Sequence, residues 1–111
     1  MNCLDINEIM QKCILTKEEL KDYNEKMKDL DHTHARDFRT MTNPIRREMI
    51  KTIGYSVKTT EELMTTLELA EDQIKYHLSM VEQTLYILNT KDGWKLTPRG
   101  IGFLNNTSIE F

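Results

Sequence analysis

One stretch of this chain, Asn43 to Gly100, leaves little freedom in how it folds. Asn43-Pro44 sets an N-cap residue before a proline, whose fixed φ suits the first helical position. Ile45, Met49, Ile50 and Ile53 follow at helical spacing, and Gly54 stops the pattern as a C-cap residue does. Thr60, Glu61 and Glu62 open a shorter helix carrying Leu63, Met64 and Leu67. Glu68, Leu69 and Ala70 make a turn. Ile74, Leu78, Val81 and Leu85 then share one face of a further helix. A short strand ending near Asn89, a Lys91-Asp92-Gly93 turn and a strand from Trp94 to Thr97 complete a hairpin. This order predicts a mainly α fold with a small β-hairpin.

These residues resemble the ArsR-like winged helix-turn-helix transcriptional regulators. The resemblance is carried by NPIRREMI (43–50), EELMTTLELAEDQIKYHLSMVE (61–82) and GWKLTPRG (93–100), with Tyr76-His77-Leu78 a particularly familiar piece. It implies a winged helix-turn-helix that binds double-stranded DNA, and a homodimer built by helices flanking the core. Metal-sensing members hold their ion with cysteines on the second core helix or with carboxylates and histidines on the last helix. Here 61–67 contains no cysteine and 98–111 no histidine, so neither a metal nor another cofactor is expected.

The chain has 111 residues, enough for one domain and a modest extension. No apolar run approaches the ~20 residues that span a bilayer, so a cytoplasmic protein without a membrane partner is expected. The net charge is −3, although phosphate neutralisation by cations supplies much of a DNA binder's affinity. The charge is unevenly placed. Residues 43–57 carry +2, whereas 58–84 set Lys58 and Lys75 against six carboxylates for a net −4.

Ahead of Asn43 lie two further helical patterns. Ile6, Ile9, Met10, Cys13 and Ile14 follow amphipathic spacing. Thr16 and Glu19 form a capping-box pattern that opens a longer helix. Along it Leu20, Tyr23, Met27 and Leu30 make a coiled-coil-like seam, continued at four-residue steps by His34 and Phe38. This stripe either packs on its own domain or, as expected here, forms the dimer interface. A short helix is expected after Pro98, either closing the core or joining the dimer interface. The expected division is 1–42 for dimerisation, 43–100 for the winged helix-turn-helix and 101–111 as a closing segment.

With Ile74, Leu78, Val81 and Leu85 inward, the third core helix turns Asp72, Tyr76, Ser79 and Gln83 outward, flanked by Gln73, Lys75 and Met80. Gln73, Lys75, Tyr76 and Ser79 are the expected groove contacts, a glutamine amide being able to pair with an adenine edge. Lys91, Lys95 and Arg99 around the hairpin, with Arg46 and Arg47, are the expected phosphate contacts, solvated surface cations being the alternative. Glu71 and Asp72 complement the helix dipole at its N-terminus but would also face phosphate.

His32 and His34 are two residues apart and point away from each other on a helix, so they do not share a metal ion. His77 sits at the edge of the buried face, which fits a structural role. Cys13 reads as a buried hydrophobe, and Cys3 as a candidate reactive thiol. No phosphate-cradling glycine loop, nucleophile elbow or carboxylate pair points to an enzyme. The expected function is a homodimeric DNA-binding transcriptional regulator. The alternative is a winged-helix interaction module that docks a protein partner through its acidic face.

Overall fold

The computed structural model describes residues 13–29 and 39–110. Its elements in chain order are helices α1 (Lys17–Asp29), α2 (Pro44–Ile53), α3 (Thr60–Leu67) and α4 (Glu71–Gln83), strands β1 (Ile87–Thr90) and β2 (Gly93–Leu96), and helix α5 (Pro98–Glu110). The protein is mainly helical with a two-stranded antiparallel hairpin.

Each boundary has a local cause. Thr16 and Glu19 cap α1 reciprocally. The Thr16 N–H donates to Glu19 Oε1 at 2.9 Å, and the Glu19 N–H to Thr16 Oγ1 at 3.1 Å. Asn43 caps α2 by accepting from the Ile45 N–H at 2.8 Å, and Pro44 follows at the first helical position. Gly54 ends α2 at φ 52°, a conformation a Cβ disfavours. A capping box of Thr59 with Glu62, one residue ahead of the expected Thr60, opens α3. Glu68 closes α3 in the left-handed region and so turns the chain sharply into α4. Ala70 offers α4 no side-chain cap, although Gln73 Oε1 accepts from the Ala70 N–H at 3.3 Å.

The hairpin pairs Ile87 with Leu96, Leu88 with Lys95, Asn89 with Trp94 and Thr90 with Gly93. The loop is therefore Lys91-Asp92, and the expected turn residue Gly93 belongs to the strand. Trp94 also exchanges both backbone hydrogen bonds with Lys58, at 2.7 and 3.1 Å, which ties the hairpin to the start of α3. A Cβ on Gly93 would sit 2.8 Å from the Lys58 carbonyl oxygen, so this close approach requires glycine.

Met49, Ile50 and Ile53 from α2, Leu63 from α3, and Ile74, Leu78 and Val81 from α4 converge in one core. Ile87, Trp94 and Leu96 of the hairpin, Met41 and Ile101 complete it. Leu85 reaches the interior from beyond the end of α4, with φ 61°, rather than from the helix face on which its spacing placed it. The expected division at residue 100 falls inside α5, which runs unbroken from Pro98 to Glu110.

The seam on α1 needs a second correction. Tyr23 is only 6% exposed and packs within its own chain. Its hydroxyl faces the Arg99 backbone and the Thr97 side chain. Burial first of all pushes the phenol upward in pKa. Leu20 and Met27 are half-buried. The rest of the expected seam, Leu30, His34 and Phe38, lies outside the described residues, as do the histidine pair, Cys3 and most of the first helical pattern. Cys13 precedes α1 in irregular backbone, half-buried, and burial pushes its thiol above the ordinary range.

Candidate nucleic-acid interface

The inward face of α4 is fully in the core, while its outward face is largely exposed. Asp72, Gln73, Lys75, Tyr76, Ser79 and Gln83 are all exposed. Tyr76 stands out at 56% exposure, an aromatic ring left in solvent in the middle of the helix. Some of these groups already have local partners. Lys75 Nζ lies 3.1 Å from Glu71 one turn back, and Ser79 Oγ donates to the Tyr76 carbonyl at 3.0 Å. All four expected groove residues are exposed, Tyr76 and Ser79 opposite the core and Gln73 and Lys75 on the two flanks.

The five expected phosphate contacts are not all exposed. Lys91 is exposed at the hairpin turn. Lys95, two residues into β2, is 5% exposed and points under α1. There its ammonium lies 2.9 Å from Glu19 Oε1 and 3.8 Å from Asp92. Alternation along the strand turns Lys95 away from the core-facing Trp94 and Leu96, and α1 covers that second face of β2 as well. Burial alone would raise the Glu19 carboxyl, but the Thr16 backbone and Lys95 outweigh it and hold that carboxyl below its usual range.

Arg99 is half-buried at the start of α5. Its Nε donates to the Thr84 carbonyl at 2.9 Å, and its guanidinium lies 4.7 Å from the centre of the Tyr86 ring. Arg47 donates to the carbonyls of Met41 and Thr42, so it braces the entry to α2.

Arg46 is the clearest departure from a surface role. It is 7% exposed and spans α2 and α4. Nε donates to His77 Nδ1 at 3.2 Å, one terminal nitrogen donates to the Thr40 carbonyl at 3.2 Å, and the guanidinium lies 5.6 Å from the Tyr76 ring centre. Tyr76 and His77 also meet edge to face, 5.3 Å apart. Burial, followed by the Arg46 charge, holds His77 below the usual imidazole range. Neither pairing follows a spacing rule. Arg46 and His77 are 31 positions apart, and Glu19 and Lys95 are 76 apart. A single charged residue at a core-facing position of α2 was the one available signal for Arg46.

Among the described residues no three histidine, cysteine or carboxylate side chains are grouped to hold a metal ion, and no helix is long and apolar enough to cross a membrane. Fold and surface together define a mainly helical protein with a two-stranded hairpin and an exposed polar face on α4. The chain belongs to the same family as an uncharacterised protein of Archaeoglobus fulgidus, to which it is 38% identical over 80 residues, 72% of this chain and 91% of that protein. No family model matches the chain. No solved structure matches it.

Proposed function

We propose that this protein is a DNA-binding transcriptional regulator of the winged helix-turn-helix, ArsR-like kind, in which α4 enters the major groove and the hairpin lies along the phosphate backbone. One observation carries the reading. The α3–turn–α4 unit buries one face of α4 completely and leaves Tyr76 and Ser79 exposed on the other, with Gln73 and Lys75 exposed at its two flanks. A helix that projects a polar, aromatic-centred face beyond the core has the shape a groove admits. Lys91 at the hairpin tip is the phosphate contact that fits this pose. Arg46, Arg47, Lys95 and Arg99 support the reading from inside, by bracing the elements that present the surface. The homodimer belongs to the same proposal, with Leu20 and Met27 of α1 as the part of the seam still available to a partner.

A second reading has its own support. Glu61, Glu62, Glu68, Glu71 and Asp72 are all exposed on α3, the turn and the start of α4. Such a surface fits a basic protein partner better than it fits phosphate. Binding to a mixed-sequence duplex over a salt series separates the two. A DNA binder shows affinity that falls steeply as salt rises. No binding at low salt would put the docking module first.

A further inference from the structure

We infer that Arg46 is a positioning residue that works from beneath the exposed face of α4: seated between α2 and α4, it fixes the orientation of the Tyr76 ring, and it does so only while His77 offers it an unprotonated nitrogen. What Tyr76 meets rests on the duplex-binding reading above, but the positioning itself does not.

The geometry sets the logic. An arginine carries only donors, so the Nε–H that reaches His77 needs Nδ1 as an acceptor. The neutral imidazole must then carry its proton on Nε2. The terminal nitrogen on the Thr40 carbonyl fixes the other end of the guanidinium. Held at both ends, the planar group keeps its place near the face of the Tyr76 ring, within the range at which a cation is drawn to an aromatic. More than half of Tyr76 is in solvent, and its ring contacts are with Arg46 and His77.

Among the described residues, the charged and titratable groups facing His77 are Arg46 from α2 and Tyr76 from its own helix. No carboxylate among them pairs with Arg46. Protonating His77 therefore removes the acceptor and sets two cations side by side at a largely covered site. The arrangement is lost as pH falls through the lowered His77 midpoint. The Tyr76 ring then loses the group that orients it.

NMR of the full chain without DNA tests this, so its outcome is independent of duplex binding. Three-bond couplings give the χ1 populations of Tyr76, and the His77 ring signals give its protonation in the same samples. One rotamer should dominate near ~pH 7.5, and averaging should set in as His77 protonates. In His77→Gln the amide oxygen accepts from Arg46 at either pH, so the single rotamer should persist at both. Arg46→Lys keeps the charge but loses the two-ended fork, and should average throughout. A Tyr76 rotamer unchanged on either side of the His77 midpoint in the native chain overturns the proposal without any variant. Equal averaging at low pH in His77→Gln overturns the part played by His77.

Discussion

Glu19 Oε1 accepts from both the Thr16 N–H and the Lys95 ammonium, each at 2.9 Å, so one carboxylate oxygen starts α1 and clamps it to β2. The helix and the hairpin are thereby held as one body, and the lysine that spacing placed near phosphate is committed to the interior.

Replacing Glu19 by Ala removes the cap and leaves the Lys95 ammonium buried beside only Asp92, 3.8 Å away. Breaking a fully buried pair costs roughly 3–5 kcal/mol. With Glu19 partly exposed and Asp92 remaining, a loss of about 2 kcal/mol in urea unfolding is expected. The folded carboxyl is held below its usual pKa, so its contribution is present above the ordinary carboxylate range and fades as pH falls through the lowered value. A native chain and Glu19→Ala that lose stability in parallel below ~pH 4 would argue against the clamp.

Tyr23 and Met27 separate packing from association. Tyr23→Ala opens a cavity between α1 and the start of α5 and should cost about 3 kcal/mol without changing the sedimentation of the folded chain. Met27→Glu touches the half-buried side of α1. It should turn dimers into monomers at little cost to the subunit's own stability. A Met27→Glu chain that sediments as the native one does removes α1 from the interface.

Much of the fold is legible in the sequence because its signals are local. Asn43-Pro44, Gly54 and Thr16-x-x-Glu19 act within a turn of where they are written, and Ile74, Leu78 and Val81 declare the buried face of α4 by spacing alone. Leu85 escapes that logic, because the helix stops at Gln83 and a positive φ delivers the side chain. The surface is half legible for the same reason. Gln73, Lys75, Tyr76 and Ser79 follow from helix geometry once the buried face is known. Arg46, Arg47, Lys95 and Arg99 do not, since charge suggests exposure while the carboxylate, rings and carbonyls that hold them follow no spacing rule. Tyr23 looked like a seam residue because a stripe does not say which surface covers it.

Lys91 and Lys95 should part company when each is replaced by Ala. Lys91→Ala leaves folding unchanged, weakens duplex binding, and lowers the salt slope by roughly one for the lost phosphate contact. Lys95→Ala should shift the unfolding midpoint instead, because it strips Glu19 of its partner. A salt slope that falls for Lys95→Ala and not for Lys91→Ala would mean that the hairpin meets DNA in some other way.

If α4 enters the groove, Glu71 and Asp72 stand where it would approach phosphate and should restrain the proposed interface. Both are exposed, and Glu71 also engages Lys75 Nζ at 3.1 Å, a cation on the proposed groove face. Glu71→Gln with Asp72→Asn removes both negative charges at nearly constant size and releases Lys75. Some favourable interaction with the helix dipole is lost, a few tenths of a kcal/mol at such an exposed end. Duplex affinity at low salt should rise several-fold, on the order of 1 kcal/mol, and the gain should shrink as salt is added. The released lysine makes a further forecast: adding Lys75→Gln to the neutralised chain should cost more affinity than the same change in the native chain. Equal losses in the two backgrounds would show that Glu71 does not hold Lys75 back. A neutralised chain that binds duplex no better than the native one would remove α4 from the DNA contact and leave its acidic start as the surface on which a basic protein partner docks.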